Sequence, residues 1–403
     1  MKFYHFSEMP YPYVPPELDE QYRGMRTFLP NRTYDPVLGY ELYQRYLDEY
    51  EIADELGLHL MVNEHHQSAT CLQVSATMSA ASMVNRTTRA RVILLGIPLP
   101  HRDNPVHVAE EVAYLDAISG GRIECGFVRG TAVETYPSNQ NPVHNQDMFY
   151  ESHDLIKEAW TQSDVFSWEG RFYNYRYVNV WPRSYQQPHP PIWITASAPP
   201  LIRWTAEHNY NLAFLVGREE DTINIFRTYR RSAAEYGLPE PGPEKFGSMV
   251  LCYVAPTAEK ARQMGEKLMW YFTTMNPRQK GRLAPGYLSP SKSVDLLHGK
   301  LGAVRALGLD AMVDAGVILL GTPDTVIKQI KRLYESTGVG NMFLMMHAGE
   351  MTSNEVRDGM VLFSNEVMPA VSSLGEKWED DDISWRVAND KTPVGNTLAS
   401  SVS

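Results

Sequence analysis

Short apolar runs alternate with amphipathic helical stretches along nearly the whole chain, and this alternation constrains the fold more than any other feature. Residues 3–8, 58–62, 91–98, 122–128, 191–196, 210–216, 247–254 and 341–346 each read as a strand. Helical spacing follows over 37–57, 72–85, 108–118, 147–161, 199–208, 220–236, 257–272, 323–337 and 353–372. Strands separated by helices become parallel neighbours, because a parallel pair needs a long crossover. An open doubly wound sheet and a closed (β/α)8 TIM barrel both meet that requirement. Eight strands favour closure, and no G-x-G-x-x-G turn follows the first strand. A barrel needs about 250 residues, so 403 residues suit one barrel with insertions.

The rhythm breaks in four places. Residues 9–36, rich in Pro and Tyr, read as a long loop after the first strand, and loops of that length are often functional. Phe166–Trp181 reads as a hairpin turning at Trp168-Glu169-Gly170-Arg171. Residues 276–315 carry Pro, Gly and mixed charge and read as an insertion. The chain from Glu376 is acidic and then rich in Ser, Thr and Asn. The expectation is one barrel domain over 1–375 and a loosely ordered polar tail over 376–403.

Charge and cysteine usage narrow the class further. A net charge of −11 disfavours nucleic-acid binding, which needs a basic face. No apolar run reaches the 18 residues of a membrane span. The start, Met1 to Phe6, reads as a strand rather than a signal peptide. Cys71, Cys125 and Cys252 form no CxxC pair, so a reducing, cytoplasmic setting without disulfides is expected.

In a TIM barrel the active site lies at the C-terminal ends of the strands. Asn63-Glu64-His65-His66 follows the second strand. Two imidazoles and a carboxylate there can move protons near neutral pH. A hydrogen-bonded loop or a metal site are the other readings, and the absence of HExxH spacing weakens the metal. Arg129, in Cys125-Gly126-Phe127-Val128-Arg129-Gly130, suits a phosphate or carboxylate, or else a neighbouring structural carboxylate. Thr195-Ala196-Ser197-Ala198-Pro199-Pro200 looks like a helix start whose N–H groups and dipole favour an anion, although capping by Ser197 explains it equally well. Leu95-Gly96, near the end of the third strand, could back a flat ring or simply fill the barrel core. Gly321-Thr322-Pro323-Asp324 reads as a helix start. His5, Phe6 and His347 are candidates for a substrate pocket because they sit near strand ends.

Taken in order, these motifs resemble the bacterial-luciferase-like flavin monooxygenases. The resemblance rests on Met1-Lys2-Phe3, Glu64-His65-His66, the stretch from Asn104-Pro105-Val106 to Ile118-Ser119-Gly120-Gly121-Arg122, and Gly126-Phe127-Val128-Arg129-Gly130. Pro191-Ile192-Trp193-Ile194-Thr195-Ala196-Ser197, Gly321-Thr322-Pro323, Thr337-Gly338-Val339 and Glu366-Val367-Met368-Pro369 continue it, so that it covers roughly residues 1–372. It implies reduced FMN at the C-terminal mouth of the barrel, with its phosphate held by Arg129 and Ser197 and with Thr195 nearby. It places the flavin ring against Leu95-Gly96, where the family often has a non-proline cis peptide, with Val128 and Asn63 beside the cofactor. His65 inherits a catalytic role, with His66 and Glu64 next to it.

The resemblance also implies the reaction class. A small organic substrate would be oxygenated with O2 through a flavin hydroperoxide. The flavin would be reduced elsewhere by a separate NAD(P)H:flavin reductase, since no dinucleotide fingerprint is present, and the chain would form a homodimer or homotetramer. A deazaflavin-dependent dehydrogenase and a non-catalytic flavin-binding protein share the barrel and stand as alternatives. The sequence departs from the luciferases in three ways. Val128 replaces their reactive cysteine, Ala196 replaces an acidic residue before Ser197, and the 9–36 segment is much longer. Light emission and a long-chain aldehyde are therefore not carried over.

Overall fold

A computed structural model describes residues 1–22, 25–26, 28–130, 132–274, 286 and 307–374. Most of the 276–315 insertion and the whole 376–403 tail fall outside the described residues. The strands, in chain order, are β1 (Lys2–Phe6), β2 (His59–Val62), β3 (Val92–Pro98), β4 (Ile123–Val128), β5 (Phe166–Glu169), β6 (Asn174–Val178), β7 (Ile192–Thr195), β8 (Asn211–Leu215), β9 (Phe246–Val254), β10 (Ile318–Gly321) and β11 (Asn341–Met345). The main helices are α1 (Pro16–Tyr22), α2 (Pro36–Glu55), α3 (Ala76–Arg86), α4 (Pro105–Ser119), α5 (Asn145–Thr161), α6 (Pro199–Glu207), α7 (Glu219–Glu235), α8 (Ala258–Leu268), α9 (Trp270–Thr274), α10 (Leu309–Asp314), α11 (Pro323–Thr337) and α12 (Ser353–Leu362).

Eight parallel strands close on themselves in the order β9-β11-β1-β2-β3-β4-β7-β8, with β8 pairing back to β9. The fold is a (β/α)8 TIM barrel. β5 and β6 form a separate antiparallel hairpin, as expected, although the turn falls after Glu169, which pairs with Asn174. A ninth parallel strand, β10, was not read from the sequence. Its four residues run into Gly321-Thr322-Pro323, which reads only as the start of α11. Leu251 pairs with Met345 of β11 and also with Ile318 of β10. β10 therefore occupies the same edge of β9 that β8 uses lower down.

Local chemistry sets the helix ends. Asp35 caps α2 by accepting from the Val37 and Leu38 N–H groups at 2.8 and 3.3 Å, and Pro36 takes the first helical position, where no N–H is needed. Asn104 and Pro105 start α4 in the same way, and Gly120, at φ 65°, ends it in the left-handed region. The segment from 9 to 36 is not wholly irregular, since it contains α1 and a short 3-10 turn, Asn31–Thr33.

The N-terminal end of the barrel is plugged by a polar cluster. Glu124 accepts hydrogen bonds from Tyr4 Oη at 3.0 Å, Arg91 Nε at 2.5 Å and Trp193 Nε1 at 2.6 Å. Arg91 and Trp193 are each 1% exposed, so the pair is a buried one with its hydrogen bonds supplied from three strand regions. Bulky interior residues fill this end, whereas the smaller Gly126, Thr195 and Ala213 follow toward the C-terminal ends of β4, β7 and β8. Gly126 has no room for a side chain, because a Cβ would sit 2.5 Å from the Leu94 carbonyl oxygen.

Candidate active site

The turn after β2 is built around two carboxylates. Glu64 is buried, and each of its oxygens is engaged. Oε1 meets His66 Nε2 at 3.0 Å, while Oε2 accepts from the Ala76 N–H at 2.9 Å and from Arg102 Nη2 at 2.6 Å. Ala76 opens α3, so the carboxylate also faces a positive helix end. Burial works against ionisation, but the His66 hydrogen bond, the Arg102 charge and the Ala76 N–H together hold the Glu64 carboxyl below its usual range. The same hydrogen bond pushes the His66 imidazole up, against burial. Glu64 thus anchors α3 and orients His66, with both oxygens already occupied by protein groups.

His65 has a different partner. Its Nδ1 lies 2.9 Å from Glu134 Oε1, and Arg26 Nη2 lies 3.0 and 3.1 Å from the two ring nitrogens. Glu134 also receives the His66 backbone N–H at 3.3 Å. Burial alone would raise the Glu134 carboxyl, but His65 and Arg26 outweigh it and hold it at about 2. Glu8, just beyond β1, places Oε2 3.7 Å from His65 Nε2. The next turns contribute His101, whose Nδ1 meets Ser138 Oγ at 2.5 Å, and Gly130, at φ +79°, where a Cβ would lie 2.4 Å from His101 Nε2.

The β3 and β4 ends pack closely through an irregular stretch of backbone. Leu95-Gly96 is a cis peptide, as the resemblance implied. The register between β3 and β4 shifts between Leu94 and Ile97, and Val128 covers Gly96 closely enough that a Cβ there would lie 2.4 Å from Val128 Cγ1. Asn63, after β2, is buried, with Oδ1 accepting from Cys71 Sγ at 3.5 Å.

Arg129 and the turn after β7 leave neighbouring strand ends, since β4 pairs with β7 up to Phe127 and Ile194. Arg129 Nη1 donates to Gln146 Oε1 at 3.3 Å. Thr195 Oγ1 and Gln146 Nε2 are buried and make no hydrogen bond. Buried donors without partners are costly, so both groups fit a ligand with acceptor oxygens. Ser197 is exposed and does not cap α6. The N-cap is Ala198, with no side-chain bond. Pro199 and Pro200 have no N–H, so α6 offers an anion fewer backbone donors than the sequence suggested. Its hydroxyls and Arg129 remain.

The three residues expected in a substrate pocket do not stay together. Phe6 points into the barrel, in register with Met61 and Met345. Tyr4, two residues earlier, faces the same interior, so His5 points outward and packs on Tyr50 of α2 with ring centroids 4.9 Å apart. His347 turns to the same layer, with Nδ1 2.7 Å from Glu49 Oε2 and Nε2 3.1 Å from Arg45 Nη2. The pocket reading of His5 and His347 is therefore corrected. Strand parity and the α2 carboxylate hold both rings between barrel and helix.

Comparison with known proteins places this geometry. The model of the luciferase-like monooxygenases, Bac_luciferase, matches residues 25–341. The chain belongs to the luciferase-like monooxygenase family. It is 25% identical to the flavin-dependent trigonelline monooxygenase, oxygenase component, of Acinetobacter baylyi, over 85% of this chain and 93% of that one. The oxygenating constituent of 3,6-diketocamphane monooxygenase from Pseudomonas putida, in complex with FMN, superposes with a TM-score of 0.69 at 18% identity, covering 92% of this chain and 98% of that one. An F420-dependent secondary alcohol dehydrogenase gives 0.63 at 19%, covering 84% and 96%. At these identities the two structural likenesses show the barrel fold alone.

Within this luciferase-like monooxygenase, sequence reasoning missed Glu8, Arg26, Arg102, Glu134 and Gln146. Glu8, Arg102 and Glu134 lie within a few residues of strand ends, and the rule that selected Arg129 reaches them. Arg26 and Gln146 come from a long connection and from a helix, and only tertiary contacts reveal them. Among the described residues no three His, Cys, Asp or Glu side chains gather as a metal site. A cleft of about 470 Å3 opens at the opposite, N-terminal end, between Lys2, Lys157, His208, Lys245 and Asn341, far from these residues.

Proposed function

We propose that this chain is the oxygenase component of a two-component flavin-dependent monooxygenase that takes reduced FMN from a separate reductase and oxygenates a small organic substrate. The supporting observation is Arg129 bonded to Gln146 at the end of β4, with the buried Gln146 Nε2, and Thr195 Oγ1 at the end of β7, left without hydrogen-bond partners. A phosphate would engage the Arg129 charge and give Thr195 Oγ1 and Gln146 Nε2 the acceptors they lack. When bound, the reduced flavin supplies the electrons that activate O2. The protein supplies position, dryness and proton control.

Arg129, Thr195, Gln146 and Ser197 would hold the phosphate. The wall of Leu95, Gly96 and Val128 would back the ring. His65 would hold or deliver a proton at the reacting end, with Nδ1 fixed by Glu134 and Nε2 directed toward Glu8. General acid–base catalysis contributes typically about 10²–10⁴-fold. The relative from Acinetobacter baylyi is named as an oxygenase component, which favours a reductase as partner. A deazaflavin-dependent dehydrogenase on the same barrel would consume no oxygen, and measuring O2 uptake per product separates the two.

The direct test is Arg129→Ala in an anaerobic titration with reduced FMN. A charge-assisted contact is worth roughly 1.5–3 kcal/mol, so the dissociation constant is expected to rise at least tenfold. Equal affinity for the variant and the parent protein would contradict the assignment.

A further inference from the structure

We propose that Arg26 is a positioning residue that fixes the His65 ring on Glu134 and, by the same contacts, latches the Pro- and Tyr-rich segment over the barrel mouth. The inference rests on the reading that His65 sits at the reacting site, and it adds a residue that neither motif nor family resemblance pointed to.

Three observations carry it. Arg26 is buried, at 7% exposure, although it lies in a long connection between β1 and α2. Its Nη2 reaches Glu134 Oε1 at 3.4 Å and both His65 ring nitrogens at 3.0 and 3.1 Å, so one guanidinium joins the segment, the β2 turn and the β4 turn. Two residues on, Phe28 packs edge-on against Tyr136, which follows Glu134 in the β4 turn, with centroids 5.2 Å apart. The segment is thus clasped twice to the 132–136 turn, once by charge and once by an aromatic pair.

The rest of the segment is anchored separately. Tyr11 Oη accepts from the Asp35 N–H at 3.1 Å, the Tyr11 N–H donates to Ala69 at 2.7 Å, and Tyr46 Oη donates to Pro10 at 2.6 Å. These bonds hold its two ends beside α2 without engaging His65. Arg26, beside the Phe28–Tyr136 pair, ties its middle to His65 and Glu134.

The charged and titratable groups on the turns beside His65 come from the first four strand ends. They are Glu8 after β1, Glu64 and His66 on its own turn, His101 and Arg102 after β3, and Glu134 after β4. The carboxylates of Glu8 and Glu134 flank the ring, and Arg26 offsets them. Loss of the guanidinium leaves the His65 ring between two carboxylates, with Glu134 at 2.9 Å and Glu8 at 3.7 Å and without the third contact that sets its orientation.

The experiment compares Arg26→Ala, Arg26→Lys and Glu134→Gln with the parent protein in two measurements. In ligand-free protein, amide hydrogen exchange over 9–36 and 132–136 is expected to quicken about tenfold or more in Arg26→Ala and Glu134→Gln, while exchange in β3 and β4 stays put. Arg26→Lys keeps the charge and is expected to recover part of the protection. In turnover with reduced FMN, Arg26→Ala is expected to lower the yield of oxygenated product and raise hydrogen peroxide, with the affinity for reduced FMN unchanged. Unaltered exchange in both Arg26→Ala and Glu134→Gln overturns the proposal. Quickened exchange in a protein that makes no product with reduced FMN supports the latch and rejects the monooxygenase reading. If Arg26→Ala does not fold, Glu134→Gln carries the same measurement.

Discussion

Single side chains in this molecule owe their behaviour to where strand parity sends them. His65, on the turn past β2, meets Glu134, Arg26 and Glu8, whereas His5, one position out of phase with Tyr4 and Phe6, faces a helix. His65→Ala is expected to slow product formation by about 10²–10⁴-fold while reduced FMN still binds, and steady-state rates beside an anaerobic titration check it. His5 makes a different prediction. Burial holds its ring neutral from 6.5 down to about 4, partly offset by Glu49. The unfolded chain therefore takes up a proton that the folded chain refuses. The stability contributed by a neutral His5 is complete above pH 6.5 and is lost as pH falls toward 4, amounting to roughly 3 kcal/mol. His5→Phe, which keeps a ring against Tyr50, is expected to flatten that part of the pH dependence in denaturant melts. An unchanged slope would count against it. His101, also held near 4 by burial, acts in the same direction and remains in the variant.

At the scale of elements, the sequence was most legible where the period is strong. The eight barrel strands and their crossover helices were readable because apolar runs and 3.6-residue spacing repeat with clear Gly and Pro punctuation. β10 escaped because a four-residue apolar run next to Gly321-Thr322-Pro323 carries no period of its own. Helices expected as single rods over 257–272 and 353–372 are broken, the first between α8 and α9 and the second by a π turn at Phe363–Val367. The Glu64–His66 turn and Arg129 were legible because strand ends select them. The partners of those residues were not, since Glu134, Arg26 and Gln146 meet them only through the folded chain. The contact of β3 with β4 yields its own test. Gly126→Ala places a methyl 2.5 Å from the Leu94 carbonyl oxygen, a backbone atom that cannot rotate away. Overpacking of that kind costs about 1–3 kcal/mol, and a lowered thermal midpoint with weakened flavin binding is expected. A midpoint equal to that of the parent protein would show that the wall yields more easily than its geometry indicates.

The whole molecule divides its barrel between stability and chemistry. The N-terminal half is closed by Glu124, Arg91, Tyr4 and Trp193 beneath a ring of bulky side chains, and Glu124→Ala is expected to cost about 3–5 kcal/mol because it strands a buried guanidinium. Toward the C-terminal end β4, β7 and β8 carry the small residues Gly126, Thr195 and Ala213, and the turns beyond β1 to β4 carry the charged groups. No described helix is long and apolar enough to cross a membrane. Cys71, Cys125 and Cys252 are free and buried. The central claim is that the C-terminal rim grips reduced FMN at Arg129 and shields its reaction with oxygen beside His65. Rapid mixing of the protein with bound reduced FMN against oxygenated buffer tests it most directly. The oxidised flavin absorbance is expected to return far more slowly than from free reduced FMN, and faster again in Arg26→Ala. Return at the rate of the free cofactor, in protein shown to bind it, would contradict the account.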